Sequence, residues 1–121
     1  MRTYTNESAE NYLETILILS QKHPVVRSVD IANELGFKKS SVSVAMKNLR
    51  EKQYIVMKDS GFIHLTDSGR AIAEMISERH LLLSEWLMRL GVSEKTATED
   101  ACKIEHVISS ESFEAIKRHI N

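Results

Sequence analysis

The chain has 121 residues, 42% hydrophobic and 27% charged, with four Gly, one Pro and one Cys. This is a globular composition rather than a disordered one, and no apolar run approaches the ~20 residues that span a bilayer. A formal net charge of −1 gives no global attraction for nucleic acid, so any such binding has to come from a local patch.

The length fits one domain, or a small domain with an oligomerising appendage. The polar start Met1-Arg2-Thr3-Tyr4-Thr5-Asn6 has no signal-peptide apolar core. A single Cys cannot form an internal disulfide. The expected compartment is a reducing cytoplasm, with no membrane partner.

From Glu7 to about Lys22, Tyr12, Leu13, Ile16, Leu17 and Leu19 follow a helical apolar stripe. Asn6 is the expected N-cap. His23-Pro24 ends the helix, because the residue before Pro is pushed out of the helical region. Asn11 and Glu14 lie off the stripe and, read alone, belong in solvent.

Val25-Val26-Arg27 is an extended link. Ser28 is expected to cap a second helix whose buried set is Val29, Ile31, Ala32 and Leu35, with Gly36 as its stop. Phe37-Lys38-Lys39 makes a turn. Lys39 or Ser40 opens a third helix to about Lys52, with Val42, Ala45, Met46 and Leu49 turned inward. Two short helices across a Gly-containing turn form the helix-turn-helix pattern.

Outside its buried set the turn and third helix carry Lys38, Lys39, Ser40, Ser41, Ser43, Lys47 and Arg50. Small hydroxyl residues let a helix start approach a phosphate, and its N–H groups can bind that phosphate. Lys and Arg supply the salt-sensitive attraction to double-stranded DNA. The plainer reading is a solvated basic face.

Gln53–Lys58 and Phe62–Leu65 are β-prone runs about an Asp59-Ser60-Gly61 turn, hence a hairpin. A hairpin after a helix-turn-helix is a wing, with Lys58 at its tip against the DNA backbone or minor groove. Arg27 and Lys58 complete the candidate DNA contacts. Thr66 then caps a long helix carrying Ile72, Met75, Ile76, His80 or Leu83, and Leu87, stopped by Gly91. Leu81-Leu82-Leu83 and Trp86-Leu87-Met88 are apolar on several faces, which points to burial against a second copy of the chain, the alternative being a wide core contact within one chain.

Ser93 caps a helix from Glu94 to Ile108, and Ser109 or Ser110 caps a last one ending near Ile120. Within the former, Cys102, Glu105 and His106 stand at i, i+3 and i+4 on one face. A thiolate, a carboxylate and an imidazole so placed can grip a first-row transition metal. A Cys beside an ordinary Glu-His pair is the alternative. A nucleophile–base pair is the third, disfavoured because neighbours on one helix point in parallel and no oxyanion-hole or Gly-rich loop is evident.

The whole pattern resembles the diphtheria-toxin-repressor family of metal-dependent regulators, and within it the two-domain manganese transport regulators. The residues carrying the resemblance are Glu10-Asn11-Tyr12-Leu13-Glu14-Thr15-Ile16, Val29-Asp30-Ile31-Ala32-Asn33-Glu34-Leu35, Ser41-Val42-Ser43, Leu65-Thr66-Asp67-Ser68-Gly69-Arg70, Glu78-Arg79-His80-Leu81-Leu82 and Glu99-Asp100-Ala101-Cys102-Lys103-Ile104-Glu105-His106-Val107. The resemblance implies a mainly α fold. A winged helix-turn-helix over 1–66 would precede a helical dimerisation and metal-binding domain over 67–121.

It also implies a homodimeric repressor of metal-uptake genes, with no small-molecule substrate. A bound ion would tie the two modules together and set the two recognition helices about one DNA turn, ~34 Å, apart. The metal positions carried over are Asn11, Glu14, His80, Cys102, Glu105 and His106.

This sequence departs from the family pattern. Asn11 stands where the manganese type has Asp and the iron type Met. Cys102 follows the iron type and Glu14 the manganese type. Ser84 and Thr98 replace the Glu and His of the iron-type ancillary site, so one well-formed site per subunit is expected, with Glu99 available to a weaker second ion. The short two-domain form, without the SH3-like third domain, is expected.

Fe(II) and then Mn(II) are the expected ions. Zn(II) and Co(II) are expected to bind in vitro, given the thiolate. The alternative function is a metal-independent winged-helix regulator with a degenerate site.

Overall fold

The computed structural model describes residues 7–120. They form α1 (Glu7–Lys22), α2 (Ser28–Leu35), α3 (Lys39–Glu51), β1 (Ile55–Met57), β2 (Ile63–Leu65), α4 (Asp67–Arg89), α5 (Glu94–Val107) and α6 (Ser110–Ile120). The expected cap Asn6 lies outside the described residues. The chain divides into two compact units within α4, one ending at Glu74 and the other beginning at Met75.

In the first unit, α1 to α3 and the hairpin enclose Leu13, Ile16, Ile31, Val42, Met46 and Ile55. Each such burial stabilises by about 1.5–3 kcal/mol relative to exposure. Gly36 ends α2 in the left-handed region (φ 70°) and its N–H donates to the Ala32 carbonyl. The start of α2 differs from expectation. Ser28 is its first helical residue, and Arg27 occupies the cap position, where its backbone N–H donates to Asp30 Oδ2 at 2.9 Å. Val29 is exposed rather than buried.

The wing is an antiparallel pair with Ile55 opposite Leu65 and Met57 opposite Ile63. Ile63 N–H also donates to the Val26 carbonyl at 2.8 Å, which ties the hairpin to the link before α2. The Leu65–Gly69 block has a specific task. Thr66 Oγ1 donates to the Gln53 carbonyl at 2.7 Å and accepts from Gly69 N–H at 3.1 Å, so Thr66 caps α4 and grips the corner after α3. Gln53 holds a positive φ of 64° in that corner. A Cβ on Gly69 would stand 2.0 Å from the Tyr54 carbonyl oxygen.

In the second unit, Leu83, Ala101 and Phe113 are buried, with Leu82, Trp86, Ile104, Ile108 and Ile116 packed on them. Ser93 Oγ accepts from Thr96 N–H at 3.4 Å and Ser109 Oγ from Ser112 N–H at 3.1 Å, which caps α5 and α6. Lys117 Nζ donates to Glu78 Oε2 at 3.1 Å. That bond and the Glu78 charge hold the Lys117 amine above its ordinary value. No helix among the described residues is long and apolar enough to cross a membrane.

Candidate metal centre and nucleic-acid interface

Helical spacing places Cys102, Glu105 and His106 one turn apart on α5. Their donor atoms, one from each side chain, all lie within 4.8 Å of one another. Cys102 is exposed, whereas Glu105 and His106 are buried. His106 Nε2 lies 3.4 Å from Glu105 Oε1. From α4, His80 Nδ1 lies 2.9 Å from Glu105 Oε2, with the His80 side chain partly open to solvent. One carboxylate therefore stands between two imidazoles, with a thiol beside it.

Donors on a single ion stand about 3–4 Å apart, given bonds of about 2.0–2.3 Å. The three α5 donors come near that spacing, and His80 reaches the same carboxylate. A sulfur, an imidazole nitrogen and a carboxylate oxygen are donors that a transition metal takes.

Asn11 and Glu14 sit one turn apart on α1 in the first unit. Both are half-buried rather than solvent-exposed. The Asn11 backbone carbonyl accepts from Thr15 Oγ1 at 2.8 Å. Ser84 Oγ donates to the His80 and Leu81 carbonyls at 2.8 and 3.1 Å, so its hydroxyl is turned onto its own helix. Thr98 and Glu99 are exposed on α5.

Sequence reasoning missed Arg79. It is buried, and Nη1 donates to the Glu105 and Ile108 carbonyls at 3.1 and 2.9 Å. Nη2 donates to Ser110 Oγ at 3.3 Å, and the guanidinium lies 5.4 Å from the Phe113 ring centre. Arg79 thus satisfies carbonyls at the end of α5, where a cation is favoured by the helix dipole. The available signal was its place in the series Ile72, Ile76, Arg79, Leu83, which is the buried stripe of α4.

On the first unit, Arg27, Lys38, Lys39, Ser40, Ser41, Ser43, Lys47 and Lys58 are all exposed. Lys38 makes no side-chain cap bond at the start of α3. Ser28, Ser43, Met46, Lys47, Arg50 and Met57 line a groove of about 200 Å³ between α2, α3 and β1. Arg27 has a structural task as well, since its guanidinium lies 4.8 Å over the Phe62 ring, next to the turn of the wing.

Two family models match these two regions. The iron dependent repressor N-terminal DNA binding domain covers residues 4–61, and the iron dependent repressor metal binding and dimerisation domain covers residues 66–121. The chain belongs to the iron-dependent repressor family. This is the diphtheria-toxin-repressor and manganese-regulator group expected from the residue blocks.

Relatives agree. An uncharacterised HTH-type transcriptional regulator of Methanocaldococcus jannaschii is 34% identical over 114 residues, 93% of this chain and 91% of that protein. The HTH-type transcriptional regulator MntR of Geobacillus kaustophilus is 35% identical over 109 residues, 90% of this chain and 77% of that regulator. The solved structure of a manganese-dependent transcriptional repressor in complex with manganese matches with a TM-score of 0.82 at 27% identity. The match covers 92% of this chain and 51% of that one, so this chain spans about half the length of that repressor. As a member of the iron-dependent repressor family, the chain is a metal-dependent transcriptional regulator that binds DNA as a homodimer, and not an enzyme.

Proposed function

We propose that the chain represses metal-uptake genes when Fe(II) or Mn(II) is plentiful, through an ion held by His80, Cys102, Glu105 and His106. The observation that carries this reading is the convergence of three α5 donors within 4.8 Å on a carboxylate that His80 also reaches at 2.9 Å. The residue match to the family adds Asn11 and Glu14 to the ligand set. That part rests on the match alone. The relatives' names speak for iron and manganese, and a thiolate among the donors favours Fe(II).

An ion held by these side chains would supply the positive charge that a carboxylate and a thiolate at one point call for. Glu105 and His106 provide a buried carboxylate and imidazole, and His80 brings α4 to the same point. Metal occupancy would favour the DNA-competent form, and by linkage DNA would tighten metal binding by the same factor. Residues 1–66 are assigned to the DNA-binding domain and 67–121 to the metal-binding and dimerisation domain, with Arg27, Lys38, Lys39, Ser40, Ser41, Ser43, Lys47 and Lys58 as the DNA contacts. Leu81 and Met88 are exposed on α4 and are proposed to meet a second copy. A cytoplasmic site of action follows from the DNA target.

The test is fluorescence anisotropy on a duplex enriched by the full chain from a randomised library in the presence of Mn(II). Mn(II) or Fe(II) is expected to tighten binding in the native chain and to have no effect on Glu105→Ala. Equal affinity with metal and with chelator would replace this reading by a metal-independent regulator.

A further inference from the structure

The outer ridge of α3 carries an apolar side chain that folding does not explain. Val42, Met46 and Leu49 form the buried face of the helix. Val44 points away from them and is 61% exposed. Its neighbours one turn away on the same ridge are Ser40 and Lys47, both exposed. Single exposed apolar residues are common on protein surfaces. Here the position is the informative part, because this ridge belongs to the second helix of the helix-turn-helix, the element that enters the major groove.

A valine at this point gains little from folding. It packs on nothing in the core, and β-branched residues are weaker helix formers than Ala or Lys. It can neither donate nor accept a hydrogen bond, so it reads no polar base edge. The major groove presents one apolar group on its base edges, the C5-methyl of thymine. A side chain flanked by a hydroxyl and an ammonium, themselves suited to phosphate and polar edges, matches that methyl.

We propose that Val44 determines operator specificity by packing against a thymine methyl in each half-site, so that the site requires T·A rather than C·G at that position. The proposal rests on α3 being the groove-reading helix. It is independent of which metal the chain uses.

The test uses the full chain loaded with Mn(II) and a duplex enriched from a randomised library. Each thymine is replaced in turn by uracil, which removes only the methyl. The native chain is expected to lose about fourfold in affinity for one methyl and about fifteenfold when both half-sites are changed, by the scale of one buried carbon group. Val44→Ala is expected to bind the thymine duplex with that same loss and to be indifferent to uracil. Because Val44 lies outside the core, the variant is expected to melt at the native temperature or slightly above it.

Neutrality of every uracil replacement in the native chain would overturn the proposal, as would a full uracil penalty retained by Val44→Ala. Failure of the native chain to enrich any duplex would overturn the role of α3 itself. Enrichment that is insensitive to chelator would sink the metal reading and leave the Val44 result standing.

Discussion

His80 Nδ1 on α4 lies 2.9 Å from Glu105 Oε2 on α5, across 25 residues of sequence. The two side chains are within hydrogen-bond reach of each other and bring α4 and α5 to one point. A Cys102 thiol has to lose its proton before its sulfur can take an ion. Metal binding through Cys102 is therefore expected to release a proton, and apparent affinity is expected to rise with pH. Isothermal titration with Mn(II) in two buffers of different ionisation enthalpy reads this directly. An identical heat in both buffers would show that no proton is released.

Glu105→Gln keeps the shape of the buried side chain and its reach to His80 but removes the charge. Metal affinity is expected to fall at least about a hundredfold, since even residues that merely orient ligands cost ten- to a hundredfold. The melting temperature without metal is expected to hold or rise, because a buried carboxylate carries a desolvation cost that an amide does not. Loss of affinity together with loss of fold would point to a structural role for Glu105 instead.

Co(II) titration without oxygen addresses the sulfur. A thiolate on Co(II) gives a near-ultraviolet charge-transfer band that oxygen and nitrogen ligands do not. The band is expected to saturate with the native chain and to vanish in Cys102→Ser. Saturable binding with no such band would remove Cys102 from the ligand set and move the site towards an oxygen-rich, manganese-type centre.

Gly69→Ala places a Cβ 2.0 Å from a backbone oxygen of Tyr54, and a backbone atom cannot swing aside. The expected loss is about 3 kcal/mol or more, at the upper end for overpacking. Chemical denaturation followed by circular dichroism measures it. A loss under about 1 kcal/mol would mean that the corner relaxes easily.

Arg79→Met removes donors from two carbonyls at the end of α5 and from Ser110. The expected cost is about 2–5 kcal/mol, because acceptors are left buried where a charged donor stood. Metal affinity is expected to fall as well, since the Glu105 carbonyl is one of those acceptors. A variant with native stability and native affinity would show the bracing to be dispensable.

What was legible in the sequence was local. Thr66 and Ser93 announced their helices because a cap is a contact over three residues, and Cys102, Glu105 and His106 declared a common face through spacing alone. Ser28 misled because Asp30 reaches back to the Arg27 N–H and starts the helix there. His80 and Arg79 act across more than twenty residues, so no helical period could pair them with Glu105. Only the family resemblance brought His80 in as a ligand position, and Arg79 was given no role although it lay on an apolar stripe. Val29 was assigned to the core by type and lies outside it, since a short helix buries few of its positions.

The hydrogen bonds from Ile63 to Val26 and from Thr66 to Gln53 close the hairpin at both of its ends. One end is held by the link before α2 and the other by the corner that leads into α4. Local fraying of the hairpin without disturbing its anchors is thereby disfavoured. Amide hydrogens at Ile63, Thr66 and Tyr54 are expected to exchange with deuterium together, as one cooperative opening rather than three independent ones. A ribbon of only two short strands would then carry the protection of the interior it is tied to.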